Sequence, residues 1–227
     1  MLIKNGAIFN EMSRSEVKIT IIYDNTAWDK NLKSDWGFSC LVEVFGKNIL
    51  FDTGAKADIL DYNMRQLKID PMQIDEVFIS HSHWDHTGGL SWFLNLNPVK
   101  VYLPCSLTLS DDNITAIPIA GKRKLHENIY STGELKNIEH SLIIKEEIGV
   151  TVIAGCSHPG VREILHAASE IGKVRTLIGG LHGFNEFHLI DNLETVCPTH
   201  CTQFIREIKD LYPDKTLEGG AGRVIVI

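Results

Sequence analysis

Residues 81–86 read His-Ser-His-Trp-Asp-His and come directly after a short strand-like segment, Glu76–Ser80. In an extended chain, residues two apart point to the same side, so we expect His81, His83 and Asp85 to converge as the chain leaves the strand. Burying several imidazole and carboxylate groups without a ligand carries a large desolvation cost. The stretch therefore predicts a metal site, and a solvated polar loop is the alternative.

Other histidines that follow predicted strands extend this candidate site. A turn at Thr87–Gly89 aims His86 at a second point close to the first. His158 lies in the sequence GCSHPG after the predicted strand Val150–Ala154, and His200 lies in PTHCT after the last predicted strand but one. Because α/β folds build their sites at strand ends along one sheet edge, we expect these histidines to join the first group. A core histidine or a helix cap is the alternative for each.

The chain has 227 residues, of which 44% are hydrophobic and 22% charged, a composition typical of folded globular proteins. Strand-like segments dominate the first half, from Val17–Tyr23 to Val99–Leu103, whereas strands and helices alternate from Ser141–Ile144 onwards. Residues 105–140 carry little readable pattern. The order predicts two sheets covered by helices, which is a layered α/β or α+β arrangement, in a single domain over residues 1–227.

Composition also predicts partners and location. Lys and Arg total 22 against 29 Asp and Glu, a net charge of −7, which argues against nucleic-acid and anionic-membrane partners. No apolar run approaches the roughly 20 residues of a membrane span, and the opening MLIKNG lacks the apolar region of a secretory signal. Five cysteines, an odd number, indicate reduced thiols. We expect a cytoplasmic protein acting on a small-molecule substrate, phosphorylated or not; the oligomeric state stays open.

Taken together, these motifs resemble the metallo-β-lactamase superfamily. The HxHxDH signature of that family is matched within residues 81–86, and FDTG at 51–54 matches an early turn. The resemblance implies an α+β fold, a four-layer αββα sandwich with its site at one edge of the two sheets. It also implies two metal-ligand sets. The first set is His81, His83 and His158, and the second is Asp85, His86 and His200.

One departure from the superfamily pattern concerns the residue that bridges two metals. Two-metal members carry an aspartate at the end of a later strand, whereas this chain has Gly180 in the segment IGGLH. His182 follows two residues later and faces the same side if the chain is still extended. We expect His182 to act as a replacement ligand, a proton-transfer group or a substrate contact, and a structural role is the alternative.

A narrower resemblance comes from GCSHPG, IGGLH and PTHCT, which are similar to the branch described as metal-dependent hydrolases of β-lactamase superfamily II. That branch includes dihydropterin–ribofuranosylaminobenzene phosphate synthase. Its usual acidic-Gln pair reads Glu139-His140 here, and its HCTG reads HCTQ at 200–203. The resemblance implies a hydrolase of an ester, lactone or phosphodiester. The alternatives are a transferase that joins a dihydropterin pyrophosphate to a ribofuranosylaminobenzene phosphate, and a metal-binding module without turnover.

The implied cofactor is one or two divalent metal ions, with zinc expected and manganese, iron or nickel as alternatives. A divalent metal brings the pKa of a bound water to about 7, and we expect Asp85 to orient that water. Asp52 is expected to hold the 81–86 loop by hydrogen bonds, with a simple turn-former as the alternative. Cys156 and Cys201 each neighbour a candidate ligand; we expect them to pack as small buried residues, with zinc ligation as the alternative.

Overall fold

The computed structural model of the chain describes residues 16–109 and 114–227. Two mixed β-sheets run through these residues. The seven-stranded sheet has the order β13 (Val224–Val226), β1 (Lys18–Tyr23), β2 (Ser39–Val44), β3 (Lys47–Phe51), β4 (Glu76–Phe78), β5 (Lys100–Pro104) and β6 (Ala116–Ile119). The six-stranded sheet has the order β12 (Thr195–Thr199), β11 (Val174–Gly180), β10 (Val150–Ala154), β9 (Leu142–Lys145), β8 (Ile129–Ser131) and β7 (Arg123–His126). The prediction for the opening residues 1–6 lies outside the described residues.

Helices cover the outer face of each sheet. They are α1 (Ala57–Gln66), α2 (Trp84–Thr87), α3 (Leu90–Leu96), α4 (Val161–Ser169) and α5 (Ile205–Leu211), with 3₁₀-helices at Pro71–Gln73 and Phe187–Asn192. Across residues 16–109 and 114–227, no helix is both long and apolar enough to cross a membrane. The stretch at 105–140 that carried little pattern contains three short strands, β6 to β8, separated by turns.

The main core lies between the two sheets. Ile19 and Ile21 of β1 are fully buried in the same cluster as Ile144 and Ile153 of the six-stranded sheet. Ile22, next along β1, packs instead with the side chains of α1 and α3. Because both faces of the strand are buried, its sequence is an almost continuous apolar run rather than an alternating one.

Two further cores lie beneath the helices. Leu60 of α1 and Phe93 of α3 pack on the outer face of the seven-stranded sheet. Ile164 of α4 and Ile208 of α5 pack on the outer face of the other sheet. The layers are therefore helix, sheet, sheet and helix, and the predicted α+β fold with its αββα sandwich is confirmed.

One edge of this sandwich collects the ends of several parallel strands. β3 and β4 are parallel in the first sheet, and β10, β11 and β12 are parallel in the second. The carboxyl ends of such strands meet at the same edge. Each strand is followed there by a polar segment, so the residues after five strands, drawn from both sheets, lie close together.

Candidate metal centre

Three imidazoles form the first group of donor atoms, which we call the His83 cluster: His81, His83 and His158. The Nδ1 atom of His83 lies 3.1 Å from Nε2 of His81 and 3.1 Å from Nε2 of His158. His81 follows β4, while His158 follows β10 of the other sheet. His81 is fully buried and His83 is exposed, so the cluster is open on one side.

Asp85, His86 and His200 form a second group, which we call the His200 cluster. Nε2 of His86 lies 3.2 Å from Nε2 of His200, and Oδ2 of Asp85 lies 3.3 Å from the same His200 atom. The Asp85 oxygen is 3.8 Å from Nε2 of His86. The two clusters adjoin, since the rings of His81 and His86 have centroids 4.1 Å apart.

The local conformation at Asp85 differs from the extended chain expected at residues 81–86. His83 is extended, with φ −67° and ψ 144°, and it is the N-cap of α2, the single helical turn Trp84–Thr87. The expectation that Asp85 shares one side with His81 and His83 is therefore wrong for this local geometry. Because the helical turn redirects the chain, Asp85 and His86 both reach the second cluster.

Hydrogen bonds fix which nitrogen of His81 and His86 carries the proton. Asp52 accepts from the Ser80 hydroxyl at 2.7 Å and also contacts Nδ1 of His86 at 2.7 Å. A carboxylate only accepts, so Nδ1 of His86 holds the hydrogen. The Ser80 hydroxyl donates its one hydrogen to Asp52. It therefore accepts a hydrogen bond from Nδ1 of His81, at 2.9 Å. Both rings turn an unprotonated Nε2 towards the site.

His200 is held in the same tautomer by Asn25. The Asn25 amide donates to the His200 carbonyl at 2.8 Å, which assigns the other atom of the amide as oxygen. That Oδ1 lies 3.0 Å from Nδ1 of His200 and can only accept. Asp24 adds a hydrogen bond from the His200 backbone N–H at 3.0 Å. Nε2 of His200 therefore also carries a lone pair and no hydrogen.

The donor set fits a metal ion. Lone pairs on Nε2 of His86 and His200 face one another at 3.2 Å with no hydrogen between them, a repulsive contact unless a cation lies between them. Tetrahedral zinc with Zn–N bonds of 2.0–2.1 Å places its ligand atoms about 3.3 Å apart. Four donor–donor distances in the two clusters, 3.1–3.3 Å, match that value, whereas the distance of 3.8 Å between Asp85 and His86 is longer.

Burial and neighbouring groups set the charge states of the donors. Burial, with help from nearby imidazoles, lowers the pKa of His81 and His86 far below the usual range, and it lowers the pKa of His158 to about 4. Burial alone raises the pKa of Asp85, but the neighbouring His200 and His86 side chains outweigh it and lower that pKa below its usual range. Near neutral pH the imidazoles of His81, His86 and His158 are therefore neutral and the Asp85 carboxylate is ionised, which are the forms that bind metal.

A buried carboxylate holds the loop that carries His158. Oε1 of Glu139 accepts the backbone N–H groups of residues 155, 156 and 157, each at 3.0 Å, and Oε2 accepts that of His158 at 2.8 Å. Burial raises the pKa of Glu139 to about 7, against the lowering effect of these donors. Gly155 is required in this loop because a Cβ there would lie 2.1 Å from Oγ of Ser80.

Backbone strain concentrates at this edge of the sheets. Asp52, Ser157, His182 and His200 have φ values of 54°, 60°, 46° and 52°. The left-handed conformation is energetically unfavourable for residues other than glycine, so the surrounding contacts must hold these residues in it. Each of the four follows the end of a strand, β3, β10, β11 or β12.

His182 lies beside the His83 cluster without joining it. Its ring centroid is 5.0 Å from that of His158, and the side chain is exposed. It also lines a cavity of about 280 Å³ together with Ser157, Leu181 and Phe184. The expectation that His182 replaces the missing aspartate as a ligand finds no support in its position; the expected roles as a substrate or proton-transfer residue stay predictions.

Gly180 has no room for a side chain. A Cβ at this position would lie 2.4 Å from the Gly155 carbonyl oxygen and 2.7 Å from Sγ of Cys201. The absence of an aspartate here is therefore built into the packing of β11 against its neighbours.

Sequence reasoning missed several residues that shape the site. Nε1 of Trp36 donates to Oδ2 of Asp85 at 2.8 Å, and its ring lies against His200 with centroids 5.4 Å apart. Ser80 and Asn25 were missed as well, and Glu139 was noted only as the acidic member of the pair at 139–140, without its role in the site. A signal existed for Asn25 and Ser80, because each is a polar residue just beyond β1 or β4, at the edge where the other site residues lie. Glu139 and Trp36 sit in loops and gave no such signal.

Residues 37–161 match the family described as the metallo-β-lactamase superfamily, and the chain belongs to that family. The predicted resemblance is thereby confirmed.

The chain is also similar to individual members of the superfamily. The chain is 27% identical over 286 aligned residues to 7,8-dihydropterin-6-methyl-4-(β-D-ribofuranosyl)-aminobenzene-5′-phosphate synthase of Methanocaldococcus jannaschii, covering 91% of this chain and 92% of that protein. A crystal structure of a metal-dependent hydrolase of the β-lactamase superfamily is 25% identical, with a TM-score of 0.76 over 92% of this chain and 98% of that one. A metallo hydrolase from Ignicoccus hospitalis, 17% identical with a TM-score of 0.60 over 93% of this chain and 98% of that one, shares the fold.

Proposed function

We propose that this chain is a metal-dependent hydrolase that uses activated water to cleave an ester, lactone or phosphodiester of a small molecule. The observation that carries the proposal is the close approach of donor atoms in the His83 and His200 clusters, 3.1–3.3 Å for four pairs, with facing lone pairs on Nε2 of His86 and His200. The site opens beside a cavity of about 280 Å³, which suits a small ligand better than a macromolecule.

Under this proposal the His83 and His200 clusters each hold one divalent ion, with zinc first among the candidates because imidazole and carboxylate donors suit it. A metal ion bound there polarises the substrate oxygen and acidifies a water molecule. Asp85 belongs to the His200 cluster and also has the carboxylate oxygen closest to Nε2 of His200, so we assign it the orientation of the attacking water.

Other residues of the chain prepare these donors rather than touch the substrate. Asp52 and Ser80 hold the tautomers of His81 and His86, so that each Nε2 is free to bind. We assign Asp52 a positioning role for this reason. Trp36 donates to Oδ2 of Asp85, the same oxygen that lies 3.3 Å from Nε2 of His200, and so helps to hold that oxygen in the cluster.

His182 is proposed to act on the substrate. Its ring is exposed at the wall of the cavity and lies next to His158 without any of the close ligand spacings. An imidazole in such a place can give a proton to the leaving oxygen atom, a contribution of about 10²- to 10⁴-fold.

A second candidate function is a transferase that joins a dihydropterin pyrophosphate to a ribofuranosylaminobenzene phosphate. The observation that favours it is the 27% identity to the Methanocaldococcus jannaschii synthase over 91% of this chain. The alignment of 286 residues is longer than the 227 residues of this chain, so the relative contains segments that this chain lacks. We rank the transferase second because this chain lacks those segments of the synthase.

The experiment that separates the candidates begins with metal content per chain after purification without added metal. The loaded protein is then offered activated esters, lactones and phosphodiesters in ¹⁸O-water, and separately the pterin pyrophosphate with its aminobenzene riboside. Incorporation of ¹⁸O into a cleaved product supports the hydrolase, and release of pyrophosphate coupled to joining of the two substrates supports the transferase. Bound metal without either reaction favours a binding module. Absence of metal even after reconstitution contradicts the whole proposal.

We also propose a single domain over residues 1–227 and a cytoplasmic location. All five cysteines are free, which suits a reducing compartment. The shared core between the two sheets supports one cooperative unit, and a single unfolding transition by both fluorescence and circular dichroism is the expected result.

A further inference from the structure

Two thiols form the inner wall of the metal centre. Sγ of Cys156 lies 3.2 Å from Nε2 of His86, and the side chain is 3% exposed. Its sulfur, together with the donor atoms of His81 and His86, forms a group whose members all lie within 4.8 Å of one another. Sγ of Cys156, Sγ of Cys201 and a ring nitrogen of His200 form another such group.

The position of Cys156 relates it to both clusters at once. His81 belongs to the His83 cluster, whereas His86 and His200 belong to the His200 cluster, and the same sulfur is close to all three. At 3.2 Å from the bare Nε2 of His86, the sulfur can donate a hydrogen bond as a thiol and can share a metal ion with that nitrogen as a thiolate. The sulfur therefore occupies a place where a ligand common to both clusters belongs.

The backbone holds Cys156 in this direction. Its N–H donates to Oε1 of Glu139 at 3.0 Å, and its carbonyl accepts from Sγ of Cys201 at 3.7 Å. A neighbouring strand end cannot supply the ligand instead, because a Cβ at Gly180 would collide with the Gly155 carbonyl at 2.4 Å. Within residues 16–109 and 114–227, the two thiols lie at this inner wall, and position 180 cannot add a carboxylate to it.

We propose that Cys156 is a thiolate ligand at the inner wall shared by the two clusters, and that Cys201 positions it through the Cys156 carbonyl. This inference rests on the metal centre of the proposed function. On binding, the S–H bond of Cys156 breaks, its proton leaves to solvent, and the sulfur lone pair forms the bond to the ion without any change of oxidation state. Zinc bonds of about 2.3 Å to sulfur and 2.0–2.1 Å to nitrogen place these two donors roughly 3.5 Å apart, close to the observed 3.2 Å.

The test is the absorption spectrum of the protein loaded with cobalt(II), because a cobalt–thiolate bond gives an intense near-ultraviolet charge-transfer band that imidazole and carboxylate ligands do not. Four forms are compared: the natural chain, Cys156→Ala, Cys201→Ala, and Cys197→Ala as a matched control. Cys197 is equally buried but lies in the core between the sheets. We expect the band in the natural chain, its loss in Cys156→Ala only, and an affinity for zinc that is about tenfold or more weaker in that variant.

The outcomes remain distinct if a variant fails to fold. A natural chain that binds cobalt without the band overturns the thiolate assignment and leaves the proposed function standing. A natural chain that binds no metal overturns the proposed function itself. A band that survives in Cys156→Ala and disappears in Cys201→Ala also overturns the assignment, as does a disulfide between the two cysteines detected by mass before reduction.

Discussion

Replacing Trp36 with phenylalanine removes one hydrogen bond from the His200 cluster while preserving most of the apolar ring. The indole N–H donates to Oδ2 of Asp85 at 2.8 Å, and the ring packs beside His200 with centroids 5.4 Å apart. A hydrogen bond to a charged group is worth about 1.5–3 kcal/mol. Trp36 is 50% exposed, so water can replace the lost donor, and the lower end applies.

About 1.5 kcal/mol corresponds to roughly a tenfold change in an equilibrium constant. We therefore expect Trp36→Phe to weaken metal binding by about tenfold with little effect on the free energy of unfolding of the metal-free protein. The assay is a competition titration against a chromophoric chelator. Trp84→Phe is the matched control, because Trp84 is 61% exposed, precedes Asp85 in the chain and is not the indole that donates to it. Equal affinities for the two variants would refute the reasoning.

Four other substitutions separate ligand, catalytic and structural roles. His83→Ala is expected to lower the metal content, whereas His182→Ala keeps the metal and slows turnover by about 10²- to 10⁴-fold; elemental analysis and initial rates check both. Burial lowers the pKa of His140 to about 3, so the neutral ring contributes stability above its unfolded pKa of about 6.5 that is lost as pH falls towards 3. In metal-free protein, His140→Gln should therefore lose less unfolding free energy than the natural chain between pH 7 and 4, as measured by urea unfolding. Equal losses would contradict the predicted direction of this pH dependence. Glu139→Ala removes the acceptor of four buried N–H groups and should lower the free energy of unfolding by about 3 kcal/mol or more. Glu134→Ala is the control: it removes one exposed acceptor and should change the free energy of unfolding little.

Most of the fold could be predicted from the sequence because the sheets are buried on both faces. Apolar runs such as Val17–Tyr23 and Val150–Ala154 are the signal of such strands, and they fall where β1 and β10 lie. The short strands within residues 105–140 gave less signal, because β6 and β7 are half-exposed and only four residues long. Their pairing depends on neighbours far away in the chain.

The candidate site was readable where its residues are adjacent in the chain. The motif at 81–86 is recognisable in the sequence. The single turn of α2 that redirects Asp85 is not, because four residues are too few to show a helical period. Asn25 acts on His200 across 175 positions of the chain. A contact of that kind has no local sequence pattern, and only the docking of the two sheets creates it.

The donors of the His200 cluster come from both sheets, and His86 and His200 are 114 positions apart in the chain. Such a site exists only after the two halves of the chain have folded and met, and non-local contacts of this type form late and slowly. Under the proposed function, an ion would therefore enter the folded protein, and its identity would depend on the metals available to the folded molecule rather than to the nascent chain. An ion held by residues of both sheets would have to be released before the sheets separate, which would slow unfolding.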